Sequence, residues 1–339
     1  MRDRPGIKDV AAHAAVSIKT VSRVVNQEMS VLASTRERVE RSITELGYVP
    51  NSSARTLKSG VGDAVGVVID TIADPYFASL VSVIEDRALR EGMGVLFASS
   101  GFDPGRERDQ LLRLAGQQVR GIILAPVADD HGYLQRYRAS TPVVMVDRHK
   151  DGFDSVVVDD LEATGRAIDE LLDLGHTRIG FVGNDHRFGT IKGRYLGYER
   201  SLAARGIQVD PALAPPCFAE FDVAKSITLG LLNLPEPPTA IFAGNARAGG
   251  GTAEALHHTK STGIAMISFG DFSFSTVLEP AVSFIDQDPY ALGNAAIERL
   301  LLLINSPRTP PRQIVLQTEL VRRGSGEISP PAAAGRSSA

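Results

Sequence analysis

The residue types that could do chemistry first appear together between positions 17 and 26, Ser-Ile-Lys-Thr-Val-Ser-Arg-Val-Val-Asn. At helical spacing Val21, Val24 and Val25 share one side, which leaves Ile18, Lys19, Ser22 and Arg23 pointing outward. Two cations, a hydroxyl and an apolar tip on the first turns of one helix suit contact with base edges and phosphates in a duplex groove.

Such a helix needs elements that hold it. Ile7, Val10, Ala11 and Ala14 predict an earlier helix with one apolar face, and Ala15 and Val16 are small enough for a close turn. Ser17 is placed to cap the second helix by accepting from the backbone N–H groups that follow. This is the pattern of a helix-turn-helix, although an ordinary helical hairpin inside a larger fold has the same periodicity. Ser34 and Glu37 stand at capping-box spacing, and Val39, Ile43 and Leu46 give a third helix its apolar side, with Gly47 to end it. Residues 1–50 therefore form a compact all-α unit. Pro50 interrupts it, and Asn51 opens a segment, 51–62, too short for an independent helix. Leu57 in that segment would be a packing contact or something more specific.

With 339 residues, 43% hydrophobic and 22% charged, the chain suits a soluble protein of two or more domains. It has no apolar run long enough to cross a membrane and no secretory signal ahead of the first helix, and its single cysteine, Cys217, allows no internal disulfide. A cytoplasmic setting without membrane partners is expected. The net charge is −4, but residues 1–60 hold ten Lys or Arg against six Asp or Glu, and the remainder carries −8. Attraction for phosphate is thus confined to a small basic head.

Ile-Lys-Asp-Val-Ala (7–11), Val-Ser-x-x-Thr-Val-Ser-Arg-Val-Val-Asn (16–26), Thr-Arg-Glu-Arg-Val (35–39), Leu-Gly-Tyr-Val-Pro-Asn (46–51) and the Ala54…Leu57 pair closely resemble the head of the LacI/GalR family of bacterial transcription repressors. The resemblance covers the head and most of the body. It implies a homodimer that reads the two halves of a near-palindromic operator. It also implies that the 51–62 hinge folds on DNA, with Leu57 wedged into the minor groove and Ala54 beside it. Base reading falls on Ile18, Lys19 and Arg23. Lys19 and Arg23 suit guanine, whose O6 and N7 both accept, and Ile18 suits a thymine methyl; phosphate contact alone is the alternative for the two cations. Ser17, Thr20, Ser22, Asn26, Tyr48 and Asn51 complete the candidate DNA-binding set.

From residue 63 strands and helices alternate. Apolar runs at 64–69, 95–98, 121–125, 143–146, 179–182, 239–243 and 264–269 read as buried strands. Helical patterns follow Asp74-Pro75-Tyr76-Phe77 and cover 106–118, 161–174 and 195–205. The rhythm predicts parallel sheets covered by helices, in two similar α/β lobes whose strand carboxyl ends face a cleft. The resemblance makes residues 63–325 a periplasmic-binding-protein-like effector and dimerisation domain. It implies chain crossings near 147–160, 270–275 and 284–290.

The resemblance also supplies cleft positions for a sugar or sugar-like effector: Asp74, Phe77, Arg148, Thr190, Arg194, Phe221, Asn245, Asp271 and Gln287. Arg194, in Arg-x-x-x-Tyr, is the family's clamp on a hydroxyl or carboxylate, and Phe221 matches an aromatic lid; core packing is the other reading of Phe77 and Phe221. The chain departs from the family at Asn245-Ala246 and at Phe269-Gly270-Asp271, where aspartates are usual in place of Ala246 and Gly270. Gly249-Gly250-Gly251 predicts a weak or irregular helical turn, since each glycine costs roughly 1 kcal/mol against alanine. A regulator whose cleft has lost its ligand is one alternative, and a solute-binding protein of a transport system is another.

No cofactor or metal is expected. Gly249-Gly250-Gly251 lacks the Lys-Ser/Thr of a phosphate loop, and His257-His258 face different helix sides. His176 reads as a loop residue, Cys217 as structural, and no persuasive catalytic set forms. The Pro-, Ala- and Ser-rich stretch 326–339 is expected to be a disordered tail without a tetramerising heptad.

Overall fold

The computed structural model describes residues 5–26, 28, 30–49, 62–128, 130–136, 141–183 and 189–332. It divides into two compact units, Met1–Gly62 and Asp63–Ala339. Asn51, Ala54 and Leu57, and with them the hinge, lie outside the described residues.

In the first unit α1 (Ile7–His13), α2 (Ile18–Val25) and α3 (Ala33–Leu46) enclose Val10, Ala11, Ala14, Val21, Val24 and Val39. The turn between α1 and α2 is made by Ala15 in the left-handed region, φ 51°. Gly47, φ 63°, ends α3. The expected Ser34–Glu37 capping box does not form. The helix begins two residues earlier, with Leu32 at its N-cap and no side-chain cap. The Leu32 carbonyl accepts from Thr35 and Arg36, so Ser34 lies inside the first turn, where its hydroxyl has no cap to make.

The second unit holds two lobes. In the first, β1 (Ala64–Ile69), β2 (Gly94–Ser99), β3 (Ile122–Leu124), β4 (Val143–Val146), β5 (Asp154–Val158) and β10 (Gln313–Leu316) form a parallel sheet of order β10-β5-β4-β3-β1-β2. Val65, Val67 and Ile69 face α4 (Pro75–Arg90) and α10 (Pro289–Asn305), whereas Val68 packs with Leu111 and Leu114 of α5 (Pro104–Gly116) on the opposite face. That alternation is what a strand buried on both faces requires.

The second lobe has the order β11-β9-β8-β7-β6, from β6 (Ile179–Val182), β7 (Ala240–Ala243), β8 (Ala265–Phe269), β9 (Ser283–Asp286) and β11 (Glu319–Val321). All its pairings are parallel except β11 with β9, which is antiparallel. Helices α6 (Asp160–Asp173) and α7 (Gly189–Ala204) cover one face, and α8 (Phe221–Leu232) and α9 (Ala246–His258) the other.

Several expectations are corrected here. Residues 249–251 are not a weak turn: α9 runs unbroken through them, and all three glycines are buried. A Cβ on Gly251 would lie 2.1 Å from the Phe221 carbonyl oxygen, and one on Gly249 2.3 Å from the Ser268 hydroxyl. The glycines let α8 and β8 approach, and that contact offsets their low helix propensity. The chain crosses between lobes at 158–160, 286–289 and 316–319; 270–275 stays within the second lobe, since both β8 and β9 belong to its sheet. The stretch after Ser325 is ordered as far as residue 332. The buried Ser325 hydroxyl donates to the Met266 carbonyl at 2.6 Å, and the buried His176 ring bonds the Ile328 carbonyl at 2.8 Å. The Met266 carbonyl and the His176 ring are buried polar groups of the lobe that need partners, and residues 325 and 328 supply them. Residues 333–339 lie outside the described set.

Candidate functional site

Two surfaces carry chemistry, one in each unit. On the first, the Ser17 hydroxyl accepts from the Thr20 backbone N–H at 3.1 Å and lies 2.9 Å from the Thr20 hydroxyl, which fixes the start of α2. Ile18 is 46% exposed, Lys19 is exposed, and Ser22 and Arg23 are half-buried at the helix flank. Asn26 is exposed at the C-cap. Tyr48 packs against the Val10–Val21–Val39 cluster, so its ring supports the unit. The Arg23 Nε lies 3.5 Å from a Glu28 carboxylate oxygen, and Arg36 donates to the Glu28 carbonyl at 2.7 Å. Glu28 escaped the sequence reading because it sits in a loop with no periodicity.

The second surface is the cleft between the lobes, about 610 Å³ when the space open to solvent at its mouth is included. It opens at strand carboxyl ends, as expected of open α/β sheets. Asp70 ends β1, Asp74 caps α4, Asp147 and Arg148 follow β4, Asn245 caps α9, and Gln287 follows β9. Thr190 and Arg194 lie one turn apart on α7 and reach the cleft from the second lobe. Asp147 holds a left-handed backbone, φ 67°, which an aspartate tolerates better than most side chains.

Of the expected cleft residues, Asp74, Phe77, Arg148, Thr190, Arg194, Asn245 and Gln287 meet there. Phe221 and Asp271 do not. The Phe221 ring packs on α9, where a Cβ on Gly250 would lie 3.0 Å from it, and it is Phe218, three residues earlier, that lines the cleft from this segment. Asp271 is taken by Arg323, at 2.9 and 3.1 Å, and by the Ser275 hydroxyl at 2.5 Å.

The cations of the cleft are already paired. Arg194 donates through Nε to Asp160 at 2.7 Å and through Nη1 to the Gly244 carbonyl at 2.7 Å. Its Nη2 reaches Gln287 at 3.5 Å, and its guanidinium lies 3.6 Å over the Phe269 ring. Arg148 grips Asp70 with two bonds, 3.1 and 2.5 Å, and the Pro126 carbonyl at 3.0 Å. Arg247 is bound to Glu220. Burial pushes the Asp160 carboxyl up to about 6 in spite of Arg194, and burial likewise raises Asp70 and Glu220.

Asp74 differs. Its side chain accepts the Tyr76 backbone N–H at 3.0 Å and has no salt-bridge partner among the described residues. Burial pushes it up to about 6; the Tyr76 N–H and Arg247 oppose the rise, and Asp147 and Asp70 add to it. Tyr76 lines the same cleft, and its hydroxyl is buried without a hydrogen-bond partner among the described residues. Asp70, Tyr76, Asp160 and Glu220 were not singled out from the sequence. An acidic residue at the carboxyl end of a strand would have marked Asp70, and the run Val156-Val157-Val158 of β5, just ahead of Asp160, would have marked Asp160 in the same way.

Residues 6–51 match the profile of the lacI family of bacterial regulatory proteins, and residues 168–326 that of a periplasmic binding protein-like domain. The HTH-type transcriptional repressor CytR of Escherichia coli K12 is 28% identical over 96% of this chain and 97% of its own length. Catabolite control protein A of Priestia megaterium is 31% identical over 88% of this chain and 92% of its own. The fold is similar to that of the Lac repressor dimer bound to operator and the anti-inducer ONPF, with a TM-score of 0.84 and 26% identity, over 96% of this chain and 99% of that one.

Proposed function

Because this chain belongs to the lacI family of bacterial regulatory proteins, and is thus a DNA-binding transcriptional repressor, we propose that it grips a near-palindromic operator as a homodimer and that a small sugar-like effector in the interlobe cleft alters that grip. Both surfaces on one chain carry the reading. An exposed, capped helix bearing Ile18, Lys19 and Arg23 stands on a basic head, and a cleft built at strand carboxyl ends lies in the body.

On DNA, Lys19 and Arg23 donate to guanine edges and Ile18 meets a thymine methyl, while Ser17, Thr20, Ser22, Asn26 and Asn51 serve the flanking phosphates. The hinges of two subunits pair, and each inserts Leu57, bending the duplex. A second copy would cover the free edge of the first sheet, where β2 exposes Leu96 by 37% and Phe97 by 42%. The effector acts by binding one lobe arrangement better than another, which changes the separation of the hinges. Among the described residues no helix is long and apolar enough to cross a membrane.

The test is selection of bound DNA from a random pool by the full chain, with sedimentation at the same concentration. The expected product is a symmetric site bound by a dimer. A monomer, or equal binding to symmetric and scrambled sites, refutes the reading.

A further inference from the structure

We propose that the interlobe cleft takes a small ligand carrying a protonated amine, with the amine seated on Asp74; the inference rests on the effector-cleft reading above. Three observations point the same way. First, the guanidiniums of Arg148, Arg194 and Arg247 are each bound to a carboxylate of the protein. A phosphate or carboxylate entering the cleft would find no uncommitted cation among the described lining residues, and would face Asp74, Asp147 and Glu220. Second, Asp74 is 8% exposed, lines the cleft and accepts one side-chain hydrogen bond among the described residues, from a backbone N–H, which leaves lone pairs for a ligand. A buried carboxylate of this kind is costly until a positive charge meets it. Third, the hydroxyl of Tyr76, which lines the same cleft, is buried with no hydrogen-bond partner among the described residues. An ammonium has three donors and no acceptor. It can give one hydrogen to Asp74 and one to the Tyr76 oxygen, while Phe77 and Phe218 supply aromatic walls that tolerate a cation.

The raised acidity range of Asp74 agrees with this arrangement, because burial beside Asp70 and Asp147 is opposed within the protein only by Arg247 and the Tyr76 N–H. A bound ammonium would hold the carboxylate in its charged form.

The experiment is calorimetric titration of the full-length protein at pH 7.5. The panel holds amino sugars, aminonucleosides and diamines, each beside its hydroxyl counterpart and, where one exists, its phosphorylated counterpart. Expected is at least tenfold tighter binding of an amine than of its hydroxyl counterpart, and no binding of the phosphate. Asp74→Asn, shown by thermal melting to be folded, is expected to lose at least tenfold in affinity for that amine, and Tyr76→Phe a few-fold. Equal binding of the hydroxyl or phosphate compound, or an Asp74→Asn protein that binds the amine unchanged, overturns the amine assignment and leaves the effector cleft standing. Absence of heat with every member of the panel, free and operator-bound, overturns both.

Discussion

Replacing Asp74 with asparagine should make the protein more stable, by an amount that depends on pH in a defined way. The carboxyl ordinarily titrates at 3.8, and burial in the cleft raises it to about 6. Its ionised form is therefore disfavoured in the folded chain. The stability available with the group protonated is complete below pH 3.8 and is lost as pH rises towards 6, after which the loss is constant. At 1.36 kcal/mol per pKa unit, ionisation costs about 1.5 kcal/mol at pH 5 and about 3 kcal/mol at pH 8. Asparagine is uncharged and also a good N-cap, so the bond from the Tyr76 N–H is kept and α4 still starts at Pro75. Urea melts of both proteins at pH 5 and pH 8 measure the effect. All other titrating groups are common to the pair, so the difference between the two isolates residue 74. The variant should gain at both pH values, and about twice as much at pH 8. A variant equal to or less stable than the parent at pH 8, or a gain that does not change with pH, would show that Asp74 is better solvated or better partnered than its surroundings indicate.

Four further outcomes are expected. Glu28→Gln frees Arg23 and removes a carboxylate from the DNA-facing side, so operator affinity in an anisotropy titration should rise roughly two- to five-fold, in line with the small worth of an exposed ion pair; no change would place Arg23 away from DNA. Lys19→Ala and Arg23→Ala should each relax preference at particular base pairs by about 1–3 kcal/mol, whereas a uniform loss across all sequences would make them phosphate contacts. Leu57→Ala should weaken operator binding in a gel shift at fixed salt without changing the dimer seen by sedimentation; unaltered operator affinity rejects the wedge. Gly251→Ala drives a methyl into the Phe221 carbonyl, 2.1 Å from where its Cβ would sit, and should destabilise the body by about 3 kcal/mol in chemical denaturation.

The helix-turn-helix was legible because every determinant of it is local. Apolar residues at helical spacing, a serine cap and a small residue in the turn are written within twenty consecutive positions, and the structure has α1, α2 and the Ser17 cap where the spacing predicts them. Most strands of the body were legible for a similar reason: a short apolar run rich in Val, Ile, Leu and Phe has few other places to be buried. The edge strands β10 and β11, only partly buried, gave no such signal, because their neighbours in the sheet rather than their composition make them strands.

The cleft was only half legible. That Asp74, Arg194 and Gln287 meet is decided by chain crossings at 158–160, 286–289 and 316–319, which no periodicity reports. Whether a charge is available depends on its partner. The family resemblance makes Arg194 a clamp on a ligand, yet Asp160 and the Gly244 carbonyl, 34 and 50 residues away in the chain, occupy it. Phe218 and Phe221 are the same residue type three positions apart, and only the packing of α8 on α9 decides which faces the ligand space. Amino-acid order alone determined the elements and the chemistry on offer, because helix and strand preferences act over a few bonds. Three-dimensional packing decided which of those groups are already neutralised, because pairing and desolvation act through space.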